Sequence, residues 1–227
     1  MVSGTNRTAR RERPYRRYRP LPAVIVLTVL GVVSGYIWIE AFADDSDLDQ
    51  AIQCDPRPGD LTDGEFVSAG YDALDSVTPA APDAISVQVL NASGVRGQAM
   101  LTTETLRSLG FTQLGEPAND PIYDDEPAHC RGQLRYGSNG ERAARTLSLV
   151  VPCFELVEDG RQDASVDFVL GSGFGNILAR PEAHTALEQL AAHSQRQAGT
   201  GDNELATGQD EPDIDEELLE AARDTHC

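Results

Sequence analysis

The segment ISVQVLNASGVRG, residues 85–97, carries a strand, a turn and the start of a helix in direct succession. Apolar and polar side chains alternate over 85–90, which is the pattern of a strand with one buried face. Residues 91–94 are turn formers, and over 95–109 apolar side chains recur every three or four positions, as on one face of a helix. Because a strand followed at once by a helix is a building unit of α/β domains, we expect an α/β core that begins here.

The same two periodicities predict the rest of the domain. Strands are expected over 111–114, 133–136, 154–157 and 166–170, and a second helix over 139–150. The predicted order is therefore β-α-β-β-α-β-β, and residues 84–180 are expected to fold as a two-layer α/β sandwich. A domain of this size can bury a hydrophobic core.

An uncharged apolar run follows an arginine-rich leader. Residues 1–20 contain seven arginines and one acid, and no charge occurs over 21–39. A helix of that length spans about 28 Å, close to the hydrocarbon thickness of a bilayer. Because positive flanks stay in the cytoplasm, we expect a single-pass plasma-membrane protein whose later residues are extracytoplasmic. The alternative is a cleaved signal peptide, since residues 41–43 form an A-x-A pattern, although the apolar run is longer than is usual there.

The segments around the domain differ in composition, and each receives its own prediction. The chain is divided into a cytoplasmic segment (1–20), a transmembrane helix (21–41), an extracytoplasmic stalk (42–83) with a short helix over 63–77, a helix (181–197), and an acidic flexible tail (198–227) with a short helix near 214–222.

The charge of the extracytoplasmic part excludes one class of partner. Residues 41–227 hold 11 arginines and 35 acidic side chains. Such a surface repels nucleic acid, so no nucleic-acid partner is expected.

All four cysteines follow the apolar run, where an oxidising compartment favours disulfide bonds. The strand predicted after Cys130 is roughly 20 Å long, and the helix predicted before Cys153 returns in the opposite direction over roughly 18 Å. The two cysteines should therefore lie at the same end of the domain. We therefore predict a Cys130–Cys153 bond, which leaves Cys54 to pair with Cys227. A free Cys227 or an intermolecular bond is the alternative for the second pair. A zinc site is the other reading, but the ligand spacing of zinc sites is missing and no metal is predicted.

The turn before the first helix is the candidate ligand site. Free amides and the dipole of a helix N-terminus favour anions, and Arg96 could add a fork for carboxylate or phosphate. Asn91, Ser93, Gly94 and Arg96 are therefore the predicted binding residues. The structural alternative is that Asn91 and Ser93 only cap the helix.

Other patterns predict no chemistry. The glycines of 171–175 have the context but not the spacing of a phosphate loop. The acidic group Asp120, Asp124, Asp125 and Glu126 lacks the spacing of a calcium loop and is interpreted as a solvated loop. No nucleophile motif is present, and no histidine ends a predicted strand. We therefore expect no enzymatic activity and no cofactor.

The sequence of the domain resembles a known family. Residues 87–99 and 106–111, together with Arg135-Tyr136-Gly137 and residues 165–171, are similar to the C-terminal domain of LytR-type envelope proteins. Residues 17–22, 117–121, 130–133 and 150–153 are similar to a family of actinobacterial envelope integrity proteins. The resemblance implies a membrane-anchored protein needed for envelope integrity, with no known catalytic or binding residues to carry over.

LytR-type enzymes place their glycopolymer phosphotransferase in a separate domain before this one. About 43 residues separate the predicted anchor from the first core strand, too few for such a domain. The resemblance therefore implies a non-enzymatic protein that acts through contacts with envelope proteins or glycans. The alternative is an accessory or catalytic subunit of envelope glycan or lipid assembly.

Overall fold

The computed structural model describes residues 21–42, 50–61, 66–199, 212, 214–225 and 227. The chain divides into two compact units, with the boundary between Asp44 and Asp45. The first unit contains helix α1 (Leu21–Phe42), at the position predicted for the anchor. Within the described residues, no helix is both long and apolar enough to cross a membrane. The membrane-spanning role of residues 21–41 therefore stays a prediction, and the leader and residues 200–211 lie outside the described residues.

The second unit is a mixed α/β fold, which confirms the predicted class. Its elements in chain order are α2 (Pro58–Leu61), β1 (Phe66–Ala69), β2 (Ser86–Asn91), α3 (Gln98–Ser108), β3 (Gln113–Leu114), β4 (Ala118–Asn119), β5 (Gly132–Tyr136), α4 (Glu141–Val150), β6 (Glu155–Asp159), β7 (Val166–Leu170), α5 (Pro181–Gly199) and α6 (Glu216–Arg223).

Seven strands of the described part form one sheet in the order β1-β6-β5-β7-β2-β3, and β4 pairs with β2 beyond β3. β2 is parallel to β7, and β5 is parallel to β6. β5 and β7 are antiparallel, as are β1 and β6 at one edge of the sheet. The helices α3 and α4 therefore each connect two parallel strands, which require a crossover of this kind.

Alternate side chains of the strands point to opposite faces of the sheet, and each face has its own hydrophobic core. Leu134 and Tyr136 of β5 join the main core, which also contains Leu106 of α3, Leu147 of α4 and Leu187 of α5. The opposite face of the sheet carries a smaller core, built from residues of the segment before β1, of β2 and β7 and of the loop before β5 (Cys54, Leu90, Ala92, Tyr123, Ala128 and Val169). Each face of the sheet is thus buried by different parts of the chain.

Two details of the predicted element order are wrong. The helix expected over 63–77 is absent: residues 66–69 form strand β1, and residues 71–76 form turns. Residues 62–65, which suggested a capping box, lie outside the described residues. The loop expected over 115–129 contains β4. Phe66–Ala69 becomes a strand because the edge of β6 offers it hydrogen bonds, a partner that local periodicity does not reveal.

The four cysteines form two disulfide bonds, but the predicted pairing is wrong. Cys54 is bonded to Cys130, and Cys153 is bonded to Cys227. Cys130 and Cys153 precede β5 and β6, which are parallel neighbours, so both do lie at one end of the sheet. Cys130, however, packs against the smaller core with Cys54, whereas Cys153 follows helix α4 and bonds to Cys227, which lies beyond the end of α6 at Arg223. The lengths of the strand and the helix correctly placed Cys130 and Cys153 at the same end of the sheet, but they could not show that the two cysteines lie on different faces of it.

A buried tyrosine hydroxyl gives a prediction about stability. The Tyr136 hydroxyl has no hydrogen-bond partner among the described residues. The Tyr123 hydroxyl donates to the Pro56 carbonyl over 2.8 Å. Because an unsatisfied buried polar group is unfavourable, Tyr136→Phe should leave the free energy of unfolding unchanged or raise it by about 1 kcal/mol, whereas Tyr123→Phe should lower it by about 1 kcal/mol. Urea unfolding of both variants followed by far-UV circular dichroism checks this difference.

The same pair predicts a pH dependence. Burial raises the pKa of both hydroxyls above the ordinary tyrosine value. A raised folded-state pKa means that the unfolded chain loses its proton first, so stability is complete below about pH 10 and declines as the pH rises further. The decline should be shallower in each phenylalanine variant. If the free energy of unfolding above pH 10 declined as steeply in both variants as in the wild type, the two buried hydroxyls would not be the cause of the decline.

Candidate ligand-binding cleft

The turn between β2 and α3 is held together by its own side chains. The Asn91 Nδ2 atom donates to the Val95 carbonyl over 3.0 Å, and the Asn91 Oδ1 atom accepts from the Ser93 amide and hydroxyl at 3.2 and 2.7 Å. The Ser93 hydroxyl accepts from the Val95 amide over 3.0 Å and contacts the Gln98 side chain. Asn91 and Ser93 therefore have structural partners, in line with the alternative interpretation from the sequence.

The helix begins later than predicted because a glycine stands at its start. Helix α3 starts at Gln98, and its N-cap is Gly97, at φ 81° and without a side-chain cap. Gly94 is also in the left-handed region, at φ 75°. Other residues adopt this conformation with strain, so the two glycines allow the chain to turn twice between Asn91 and Gln98.

A cleft of two adjoining lobes opens beside this turn. The larger lobe, about 870 Å³, lies between α3 and the segment 114–119, and Met100, Leu114 and Ala118 give it an apolar lining. The smaller lobe, about 270 Å³, is lined by Asn91, Gly94, Arg96, Asp120 and Asp124, among others. Three of the four predicted site residues thus line one cavity. Ser93 is buried and does not line it.

The charge of the small lobe does not favour a simple anion. Arg96 is exposed and forms no ion pair among the described residues, but the exposed Asp124 lines the same lobe, while Asp120, which also lines it, is paired with Arg135. Carboxylates beside a guanidinium lower its attraction for free anions, because opposite charges compensate each other. The lobe is suited to a neutral or zwitterionic group with several hydrogen-bonding atoms.

The wall of the small lobe is a buried ion pair. Asp120 is only 1% exposed, and its Oδ2 atom lies 2.8 Å from Nη1 of Arg135, which is also buried. The Arg135 guanidinium lies over the rings of both Phe66 and Tyr123, at 5.8 and 5.5 Å from their centroids. The interpretation of Asp120 as a solvated acid is therefore wrong, while Asp124, Asp125 and Glu126 are exposed as expected.

The network continues to the segment before the domain. The Arg135 Nε and Nη2 atoms donate to the Gln133 Oε1 atom at 3.0 and 2.9 Å, and the Gln133 Nε2 atom donates to the Glu155 Oε2 atom over 2.7 Å. Glu155 also accepts from the Cys54 amide at 3.0 Å and from the Ser68 hydroxyl at 2.8 Å. The buried charges therefore hold Cys54 and Ser68, the sheet and the cleft wall together.

The sequence contains one signal of this network that was missed. Gln133 and Arg135 occupy alternate positions of a predicted strand whose other positions are apolar, which indicates a polar face. The partner of that face could not be found from the sequence, because Asp120 is separated from Arg135 by a loop.

The other candidate motifs occupy structural positions. In the 171–175 segment, the Ser172 and Gly173 amides donate to the Ala128 and Cys130 carbonyls over 2.8 Å, so this turn fastens the loop before β5. The Ser172 hydroxyl lies 3.5 Å from Nδ1 of His129. No carboxylate forms a hydrogen bond with His129 in the described part of the chain. The pair therefore lacks the third group that orients a catalytic histidine.

Comparison with known proteins agrees with this architecture. Residues 84–174 match the family described as LytR cell envelope-related transcriptional attenuator, so strands β2 to β7 and the cleft are those of a LytR C-terminal domain. β1, α5 and α6 lie outside the matched residues. The chain as a whole belongs to the family of the cell envelope integrity protein Cei, as the identity with a member of it shows.

Two relatives define the extent of the similarity. The chain is 40% identical over 183 residues to the cell envelope integrity protein Cei of Mycobacterium tuberculosis (strain ATCC 25618 / H37Rv), covering 78% of this chain and 83% of the relative. It is 35% identical to the soluble domain of a conserved hypothetical secreted protein from Mycobacterium marinum, whose crystal structure superposes with a TM-score of 0.59. That comparison covers 72% of this chain and 98% of the solved one.

Proposed function

We propose that this chain is a non-enzymatic, membrane-anchored protein that contributes to the integrity of the cell envelope. The observation that carries the proposal is the 40% identity, over most of both chains, with a protein named for cell envelope integrity. The two disulfide bonds support it, because such bonds persist in extracytoplasmic compartments.

The anchoring part of the proposal rests on the sequence. Residues 21–39 are uncharged and follow seven arginines, which supports a cytoplasmic leader and an extracytoplasmic disulfide-bonded unit. The eight large apolar side chains of α1 between Val24 and Val33 are about half exposed or more, and lipid would cover such side chains.

The extracytoplasmic unit acts through contacts with envelope proteins or glycans, and the cleft is the proposed contact surface. Its large lobe presents apolar side chains of α3 and β4, and its small lobe presents Arg96, Asn119 and Asp124. A lining that mixes apolar surface with a few polar groups is common to binding sites. Nothing in the lobes requires a nucleic-acid partner.

A catalytic subunit of envelope assembly is the second candidate. The contact between Ser172 and His129 is the observation that favours it, since a serine beside a histidine can be an activated nucleophile. Ser172→Ala distinguishes the two candidates. A non-enzymatic protein keeps its function in this variant, whereas a serine enzyme loses it.

We expect a deletion strain to become permeable to large antibiotics and detergents, and the full chain to restore the barrier. A chain that lacks residues 1–41 but is exported by a cleavable signal should not restore it, because it is no longer held at the membrane. Antibiotic sensitivity is the measurement, with alkaline washing of membranes as the check of anchoring. An intact barrier in the deletion strain would contradict the proposed function.

The role of the cleft is tested by filling it. Ala118→Trp places a large side chain in the large lobe and should abolish complementation, as Arg96→Ala should weaken it. Val67→Trp is the matched control, because Val67 is a 59% exposed strand residue of β1, at the opposite edge of the sheet. Full complementation by Ala118→Trp at normal protein level would show that partners bind elsewhere.

A further inference from the structure

Helix α6 is attached to the rest of the unit by three kinds of contact. Its apolar side chains Leu219 and Ala222 are buried in the main core, against α4 and α5. The Arg223 guanidinium donates to the Tyr71 carbonyl and to Asp75, while the Tyr71 hydroxyl donates to the Arg223 carbonyl over 2.8 Å. Beyond the helix, Cys227 is bonded to Cys153.

The ion pair between Arg223 and Asp75 is opposed by the positive charge of a second arginine, Arg145. Arg145 of α4 donates to the same Asp75 Oδ1 atom over 2.7 Å, so two guanidinium groups share one carboxylate oxygen. Both arginines are buried, at 2% and 5% exposed, and the Nε atoms of both have no hydrogen-bond partner among the described residues. Burial, and after it the charge of Arg223, lower the pKa of Arg145. Docking α6 therefore places two buried positive charges beside one negative charge.

Helix α6 cannot form its structure without the surface below it. It has eight residues, and helices of that length are unstable in water on their own. Its attachment thus depends on a balance between apolar burial, the hydrogen bonds of Arg223 and the disulfide bond on one side and arginine repulsion on the other. Removal of the covalent bond shifts that balance toward release.

We propose that α6 and Cys227 form a redox-sensitive strap, which a dithiol releases from α4 and α5 by reducing the Cys153–Cys227 bond. We define the strap as residues 214–225 together with Cys227. The proposal does not depend on the proposed function. Release uncovers an apolar surface of α4 and α5 beside the Arg145 guanidinium, which α6 otherwise occupies.

The two disulfide bonds differ in their access to a reductant. Each bond joins a buried cysteine, Cys153 at 6% or Cys54 at 2% exposed, to a more accessible one. Cys227 is exposed, whereas Cys130 is only partly exposed and packs against the smaller core. A thiolate of the dithiol attacks Sγ of Cys227 and displaces the Cys153 thiolate. The second thiol of the dithiol then displaces Cys227, so two electrons pass to the cysteines, which take up two protons, and the dithiol becomes a disulfide. Attack on Cys54 requires the smaller core to open first, and the partly exposed Cys130 is less accessible than Cys227.

The test is hydrogen exchange of the full chain in detergent micelles, with dithiothreitol as the dithiol. After limited reduction and alkylation, peptides from 216–223 should exchange at least about 30-fold faster, the factor that corresponds to the lower end of a typical disulfide contribution. Peptides from β5 and β7 should not change. Mass mapping should show Cys153 and Cys227 alkylated, with Cys54–Cys130 intact.

Two variants separate a strained strap from an ordinary docked helix. Arg145→Met removes the competing guanidinium, so exchange of α6 in the reduced chain should become slower than in the reduced wild type. A merely structural role for Arg145 predicts faster exchange. Arg142→Met is the matched control, because Arg142 lies on the same helix and is exposed. If Arg145→Met does not fold, Arg145→Gln serves instead, because it keeps hydrogen-bond donors without the charge, and exchange of α6 in the reduced chain should again become slower.

Several results would overturn the proposal. The first is unchanged protection of α6 after complete reduction of Cys153–Cys227. The second is reduction of both disulfide bonds at the same rate, which would show that exposure of Cys227 gives no selectivity. A third is faster exchange of α6 in reduced Arg145→Met, which would remove the electrostatic basis of release.

Discussion

Replacing Arg135 with methionine is expected to lower the free energy of unfolding by about 3–5 kcal/mol, the usual loss when one partner of a buried ion pair is removed. The Arg135 and Asp120 side chains are 2% and 0% exposed. The variant therefore leaves the Asp120 carboxylate buried beside no positive charge. It also leaves the Gln133 Oε1 atom without its two guanidinium donors.

The double variant Arg135→Met/Asp120→Asn tests this reason directly. Asparagine keeps the oxygen that accepts from the Ile122 and Tyr123 amides at 2.7 and 3.2 Å, but it carries no charge. The double variant should therefore recover a large part of the lost stability, because removal of both charges avoids an uncompensated one.

Arg107→Met is the control for charge removal as such. Arg107 pairs with Glu104 on the surface of α3, where the two side chains are 50% and 66% exposed. Exposed pairs contribute about 0–1 kcal/mol, so this variant should be close to the wild type. Urea unfolding of the full chain in detergent, followed by far-UV circular dichroism, measures all three. Equal losses for Arg135 and Arg107 would show that the buried network carries no special stability.

Removal of the Cys54–Cys130 bond by serine substitution is expected to destabilise the unit by about 4 kcal/mol. The two disulfide bonds join residues 76 and 74 positions apart, so the chain-entropy estimate is nearly the same for both. The effects should nevertheless differ. Cys54→Ser/Cys130→Ser places polar hydroxyls in the smaller core and loosens the attachment of residues 50–61 to the sheet.

Cys153→Ser/Cys227→Ser should have a smaller effect on global unfolding. Part of its loss is confined to α6, which opens locally while the sheet remains folded. Unfolding midpoints of the two double variants provide the comparison, with the wild type under non-reducing conditions as reference. A larger global loss for Cys153→Ser/Cys227→Ser would contradict the placement of Cys54–Cys130 in a core.

The local elements of the domain could be predicted because their signals are local. Alternation predicted the strands over 133–136 and 166–170, and the spacing of Ala143, Leu147 and Val150 predicted helix α4. The repeat of apolar residues shows which side chains of an element are buried. Burial of one face produces a repeat of two in a strand and of 3.6 in a helix, so the element type can be recognised locally.

The candidate site was only partly predictable. The sequence placed Asn91, Gly94 and Arg96 together because they are neighbours in the chain, and they line one lobe. It could not supply Asp120 or Asp124 to the same lobe, because these arrive on a later loop that β4 fastens to β2. Because Asp120 is paired with Arg135, it is the Asp124 carboxylate that offsets the charge of Arg96, and the expected ligand changes from an anion to a neutral or zwitterionic group.

Local patterns in the amino-acid sequence were enough to predict the α/β class, the positions of most helices and strands, and the family resemblance that the comparisons confirm. The pairing of the cysteines, the acid that joins Arg135 and the edge strand at residues 66–69 depend on contacts between distant segments. The physical reason is that periodicity records how each element divides its own side chains between buried and exposed. It does not record which distant segment covers each face of the sheet, and a disulfide bond or a buried ion pair forms only where two such segments meet.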